Sequence, residues 1–147
     1  MKFIAHRGNI NGRIIDREND PLYIQEAIEM GFDAEIDLWY DQDLYLGHDK
    51  PKYKIDVNFI KDFQESLWIH CKDLRALNYS CNQNFNAFFH IKDDFTLTSK
   101  NFIWTYPNIQ QFCFRSIIVS LDKTEKIPSY IYGICSDIIL YFKETLN

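Results

Sequence analysis

The stretch Asp33–Asp49, DAEIDLWYDQDLYLGHD, constrains this chain more than any other part of its sequence. It sets two acids, Glu35 and Asp37, one residue apart inside an apolar run. On a strand, side chains at i and i+2 leave the same face, so both carboxylates share one face while Ala34, Ile36 and Leu38 pack on the other. Two carboxylates aimed at one spot repel unless a proton or a cation lies between them. Oxygen ligands of this kind suit Mg²⁺, Ca²⁺ or Mn²⁺. Leu44–His48 reads as a short return strand across the Asp41-Gln42-Asp43 turn and delivers His48. His6 follows the opening strand, Phe3–Ala5, in much the same way. Two histidines beside an acidic cation site suit phosphodiester cleavage: the metal holds the phosphate, and one imidazole takes a proton while the other gives one. Spacing leaves open which is base and which is acid.

Composition narrows the alternatives. With 147 residues, the chain is expected to form one domain over 1–147 with a sizeable core. A hydrophobic content of 46% and an aromatic content of 16% argue against disorder. The net charge of −5 and the lack of any Lys/Arg block argue against a nucleic-acid partner. Cys71, Cys81, Cys113 and Cys135 show neither CxxC nor zinc spacing, so reduced thiols in a cytoplasmic protein are expected. Met1-Lys2 runs directly into FIAHRG without the pattern of a signal peptide, and no apolar run approaches the length of a membrane span.

Along the chain, Asn9–Asn19 reads as a loop. Asp20-Pro21 then starts a helix, with an N-cap acid followed by proline at the first position. Leu22, Ile24, Ala27, Ile28 and Met30 supply its apolar stripe, and Gly31 ends it. Asp56–Glu65 is a second helix, Leu67–Cys71 a strand and Asp73–Tyr79 a short helix. Five further strands follow: Ala87–His90, Phe95–Thr98, Phe102–Tyr106, Ser116–Ser120 and Tyr132–Asp137. Several of their connections are too short for a helix. His90 ends its strand on the rim expected to hold His6 and His70 and is a candidate substrate contact. Trp104 is a candidate wall against a sugar or glycerol group.

Four short motifs, His6-Arg7-Gly8, Glu18-Asn19, Glu35-x-Asp37 and Gly47-His48-Asp49, together resemble the glycerophosphodiester phosphodiesterase family, within the phosphatidylinositol-phospholipase-C-like phosphodiesterases. The resemblance covers residues 1–72 and is patchy beyond, where Gly133–Asp137 resembles the final barrel strand of the family. It implies an α/β fold, a TIM-like (β/α) barrel. Such a barrel ordinarily takes about 250 residues, so a shortened one is expected here, with several of the later helices missing. It further implies a metal-dependent phosphodiester hydrolase acting on a small glycerophosphodiester or sugar-phosphodiester. A cyclic phosphate forms first if a neighbouring substrate hydroxyl attacks. Glu35 and Asp37 would bind the cation, His6 and His48 would share acid–base work, and Arg7 and Lys72 would neutralise the phosphate beside Glu18.

His70 stands where the family carries its third acid, two residues before the lysine. An imidazole there suits Mn²⁺ or Zn²⁺ better than Mg²⁺ or Ca²⁺. That change also supports the alternative of a non-catalytic domain that binds phosphorylated ligands. A barrel stripped of helices would expose apolar sheet, so a homodimer is expected through the late part of the chain. Phe112–Phe114 or Ile138–Phe142 would form its interface; the latter segment reads equally well as a last helix lying back on the barrel.

Overall fold

The computed structural model describes residues 1–146 of the chain. Ten strands form one mixed sheet, and four short α-helices accompany it among the described residues. The strands are β1 (Lys2–His6), β2 (Asp33–Asp41), β3 (Asp43–Leu46), β4 (Tyr53–Ile55), β5 (Leu67–Cys71), β6 (Ala87–Phe88), β7 (Phe95–Leu97), β8 (Ile103–Thr105), β9 (Ser116–Val119) and β10 (Gly133–Ser136). The helices are α1 (Pro21–Glu29), α2 (Val57–Asp62), α3 (Leu74–Asn82) and α4 (Ile139–Leu146).

This corrects the expected fold. The chain is not a TIM-like barrel with alternating helices. It is a strand-rich mixed sheet in which β6, β5, β2, β1, β10, β9 and β8 run parallel in that spatial order, while β3, β4 and β7 pair antiparallel. Connection length decides between the two arrangements. Tight turns at Gln42 (φ 64) and Asn101 (φ 64) allow only hairpins, because a parallel return needs a dozen or more residues. The connection from β9 to β10 has the length of a parallel crossover, the one from β8 to β9 falls slightly short of it, and both are made without an α-helix. Strand β4 lies where the sequence reading placed no strand, and the Ala87–His90 strand shortens to β6.

Hydrogen-bond parity on β2 shows how it serves three neighbours. The carbonyl oxygens of Glu35 and Asp37 accept from Arg7 N–H after β1 (3.0 Å) and Gly47 N–H after β3 (3.1 Å). Residues of the same parity point to the same edge, so β3 takes over the edge that β1 leaves. The opposite edge, through Ala34 N–H and the Leu38 carbonyl, bonds Ser66 and Lys72 on either side of β5.

The two faces of the sheet bury different cores. Ala34, Ile36, Leu38, Leu67, Ile69 and Ala87 face outward into a cluster with Ile24, Ile60 and Ala76 from the helices. Helix α1 follows the expected start: the Asp20 carboxylate accepts from Leu22 N–H at 2.9 Å, and Pro21 occupies the first position. Its buried side chains are Tyr23, Ile24 and Ala27, whereas Leu22 and Met30 of the expected stripe are exposed. Helix α4 lies back on β1 and β10, burying Ile139 and Phe142 against Ala5, Phe32 and Ile134. On the inner face, Ile4, Trp68, Phe88, Trp104, Ile117, Val119 and Cys135 make a second core. Phe88 on β6 stacks on Trp104 of β8 at 4.4 Å, and Ser99 N–H bonds the Ala87 carbonyl at 2.8 Å, so the two far edges of the sheet meet across that core.

Phe142 is 2% exposed at the centre of the α4 contact. Phe142→Ala is expected to lower the unfolding free energy by about 3–5 kcal/mol in urea denaturation. A loss below about 1 kcal/mol would separate α4 from the cooperative core.

Candidate functional site

The site occupies the end of the sheet at which the parallel strands finish. Alternation along β2 sends Glu35 and Asp37 to the inner face, and registry with β5 sets His70 beside Asp37. β1 ends at His6, which pairs with Glu35. Arg7 then turns with φ 53 and Gly8 with φ 90; a Cβ on Gly8 would come within 2.8 Å of the Tyr23 ring, so this turn fits only glycine.

Asp37 is fully buried, and groups from three directions neutralise it. Arg7 Nε lies 3.0 Å from Oδ2, while His70 Nδ1 and Lys72 Nζ lie 3.1 and 3.2 Å from Oδ1. Asn19, with φ 64, donates its amide to Oδ2 at 2.9 Å and accepts the Asp37 backbone N–H at 2.8 Å. Burial works to raise the Asp37 pKa, but the His70 hydrogen bond and the Arg7 and Lys72 charges override it and hold the carboxyl well below the usual range.

Glu35 is placed differently. Its Oε2 accepts the Arg7 backbone N–H at 3.3 Å, and the imidazoles of His6 and His70 each stand 3.9 Å from its carboxylate. Burial and the neighbouring Asp37 charge push its pKa up. One ligand atom from each of Glu35, Asp37 and His70 lies within 4.8 Å of the others. That spacing lets a single cation touch all three. The donor set fits one: Glu35 is a buried acid short of positive charge, and two oxygens with one imidazole nitrogen suit Mn²⁺ or Zn²⁺.

Around this cluster opens a pocket of about 500 Å³. Of the residues singled out from the sequence, His6, Arg7, Glu35, His48, His70, Lys72, His90 and Trp104 line it. Glu18 and Asp37 stand behind the wall instead. Glu18 accepts from Arg7 at 3.2 Å, Arg13 at 2.8 Å and Asn9 at 3.1 Å; against the cost of burial, these bonds bring its pKa down to about 2. Its role is therefore to hold the Arg7 guanidinium.

The two histidines proposed for acid–base work differ in surroundings. His6 Nδ1 bonds Asp137 Oδ1 at 2.8 Å. Burial alone would lower the His6 pKa, but the Asp137 bond and the Glu35 charge raise it. His48 sits on the turn after β3, half-exposed, 2.7 Å from Asp49. Burial and the Arg7 and Lys72 charges lower its pKa. Trp39 donates its indole N–H to the Gly47 carbonyl at 2.6 Å and steadies that turn. His90 stacks on His70 at 4.6 Å, and its pKa is lowered to about 4 by burial and the charges of His70 and Lys72.

Sequence reasoning missed Asn9, which donates to both Glu18 and Asp137 and joins the two halves of the network. A polar residue in a loop carried no local signal for that. Arg13 on Glu18 was missed for the same reason. No protein-family model matches the chain, and neither the curated proteins nor the solved structures contain a match to it.

Glu35 supplies a signed stability prediction. A carboxyl whose folded pKa is raised contributes stability below its unfolded value and loses it as pH rises through the folded value. In chelator at pH 8, Glu35→Gln is therefore expected to raise Tm by about 2–4 °C. Thermal scans at pH 5 and pH 8 check this; an unchanged or lower Tm at pH 8 would show the charge to be satisfied without a cation.

Proposed function

We propose that the protein is a metal-dependent phosphodiester hydrolase. The observation that carries the reading is the Glu35–Asp37–His70 cluster, with ligand atoms within 4.8 Å, beside a pocket that also presents two basic side chains and two histidines of opposite pKa shift. The motif resemblance to glycerophosphodiester phosphodiesterases supports the same chemistry on a different fold. Glu35, Asp37 and His70 hold the divalent cation, Mn²⁺ or Zn²⁺ in preference to Mg²⁺ or Ca²⁺. When bound, the cation supplies Lewis acidity and neutralises phosphate charge.

The chain's own groups do the rest. Arg7 and Lys72 face the phosphate oxygens; Glu18 fixes the first and Asp37 anchors both. His48, with its lowered pKa, is the general base and accepts the proton of the attacking water or substrate hydroxyl. His6, whose pKa the Asp137 bond and the Glu35 charge raise against burial, is the general acid and gives its Nε2 proton to the departing alkoxide. One P–O bond forms and one breaks. Attack by a neighbouring hydroxyl yields a cyclic phosphate, and attack by water the monoester.

The test is hydrolysis of bis(p-nitrophenyl) phosphate and glycerophosphocholine after chelation, with each metal restored singly. Turnover is expected to return with Mn²⁺ or Zn²⁺. His6→Ala and His48→Ala should each lower kcat by about 10²–10⁴-fold with metal affinity unchanged. The kcat/KM profile should rise through a value below 6.5, the ordinary imidazole pKa, as His48 deprotonates, and fall through one above it as His6 does. Tight metal binding without turnover on any substrate would favour a phospho-ligand-binding domain instead.

No helix among the described residues is long and apolar enough to cross a membrane. Phe95 and Leu97 on β7, and Phe114 before β9, are exposed, which supports a homodimer through this late face. Light scattering at micromolar concentration should give twice the chain mass; the monomer mass would refute it.

A further inference from the structure

The pocket is divided by chemistry along the order of the strands. The end of β1, the inner face of β2, the end of β5 and the turn after β3 contribute His6, Arg7, Glu35, His70, Lys72 and His48. The ends of β6, β8 and β9 contribute a largely apolar half. Trp104 and Tyr106 stand two residues apart at the end of β8, and Val119 and Leu121 repeat that spacing at the end of β9, so each pair continues the inner face. Trp104 and Val119 are buried as the floor of this half, while Tyr106 and Leu121 stand 45% and 55% exposed at its rim. Ile91, just beyond β6, lines the same pocket and is 70% exposed.

Two large aliphatic side chains and a tyrosine held in water beside a charged cluster cost free energy that an apolar ligand group recovers. The volume of about 500 Å³ also lies in the range, about 300–1,000 Å³, of sites that take an extended ligand, and exceeds what a phosphate needs. A sugar or a second polar alcohol would meet little on this side beyond His90 and the Tyr106 hydroxyl.

We propose that this half of the pocket receives an alkyl or acyl arm, so that the preferred substrate is a phosphodiester bearing one apolar chain. The inference rests on the proposed function for the phosphate end and names the substrate class of that same site. The phosphate lies against Arg7 and Lys72, and the chain runs over Trp104 and Val119 to leave between Ile91 and Leu121.

The experiment is calorimetric titration of the Mn²⁺-loaded protein with octyl phosphate and with methyl phosphate, both below micelle-forming concentration. Octyl phosphate is expected to bind at least about tenfold more tightly. Ile91→Asn and Leu121→Asn, neutral polar substitutions at exposed positions, should together reduce that preference, read as the ratio of the two affinities in the same variant, to below about twofold. Equal affinity for the two probes in the unmodified protein would overturn the apolar arm and leave the phosphodiesterase reading standing. So would a preference that survives the double variant. Octyl phosphate binding that is lost in the double variant, without methyl phosphate binding, would keep the apolar half and undo the phosphate reading. Failure of both probes would overturn both. Light scattering on the double variant covers the remaining occupant: a dimer that dissociates would assign these side chains to a second copy of the chain and overturn the proposal.

Discussion

Neutralisation of the buried Asp37 carboxylate is the interaction on which the rest of this structure depends. Its partners come from separate parts of the chain: Arg7 after β1, Asn19 before α1, and His70 and Lys72 at the end of β5. Taking a carboxylate out of water costs several kcal/mol, and removing one partner of such a set leaves an uncompensated charge. The network therefore specifies which strands lie together as well as holding them. It also orders two basic side chains at a pocket, where they would otherwise repel each other.

The same network separates two neighbouring acids into different states. Asp37 takes nearly all the available positive charge and stays ionised. Glu35, equally buried, has one backbone N–H and two imidazoles at 3.9 Å, and its pKa rises. The pair thus resolves the mutual repulsion of adjacent carboxylates asymmetrically, with one paired and one left to a proton or a cation. A second chain of bonds, His6 to Asp137 to Asn9 to Glu18 to Arg7, closes behind the pocket and fixes both the imidazole and the guanidinium.

Much of this was legible locally. The E-x-D alternation on β2, the hairpin after it, the capped start of α1 and the delivery of His6 and His48 at strand ends all follow from period-2 patterning and turn chemistry, which act over a few residues. The missed parts depended on distance. Leu22 and Met30 belong to the apolar stripe of α1 by composition but face water, because α1 meets the sheet through Tyr23, Ile24 and Ala27. β4 is a strand only because β3 offers it an edge. Asn9 looks like any loop asparagine until Glu18 and Asp137 are brought to either side of it.

By itself, the sequence determined that Glu35 and Asp37 share a face and where α1 and most of the strands start, since these follow from backbone geometry and near-neighbour sterics. It also determined that no Lys/Arg block marks a nucleic-acid footprint. Strand order, the choice between parallel and antiparallel partners, and thus the replacement of the expected barrel by a mixed sheet were decided only in the tertiary structure. Edge pairing depends on hydrogen bonds between segments far apart in the chain, and any strand presents two edges that several others can satisfy. The tertiary structure likewise decided which of two adjacent acids keeps its charge, because that follows from where Arg7 after β1 and Lys72 after β5 come to rest.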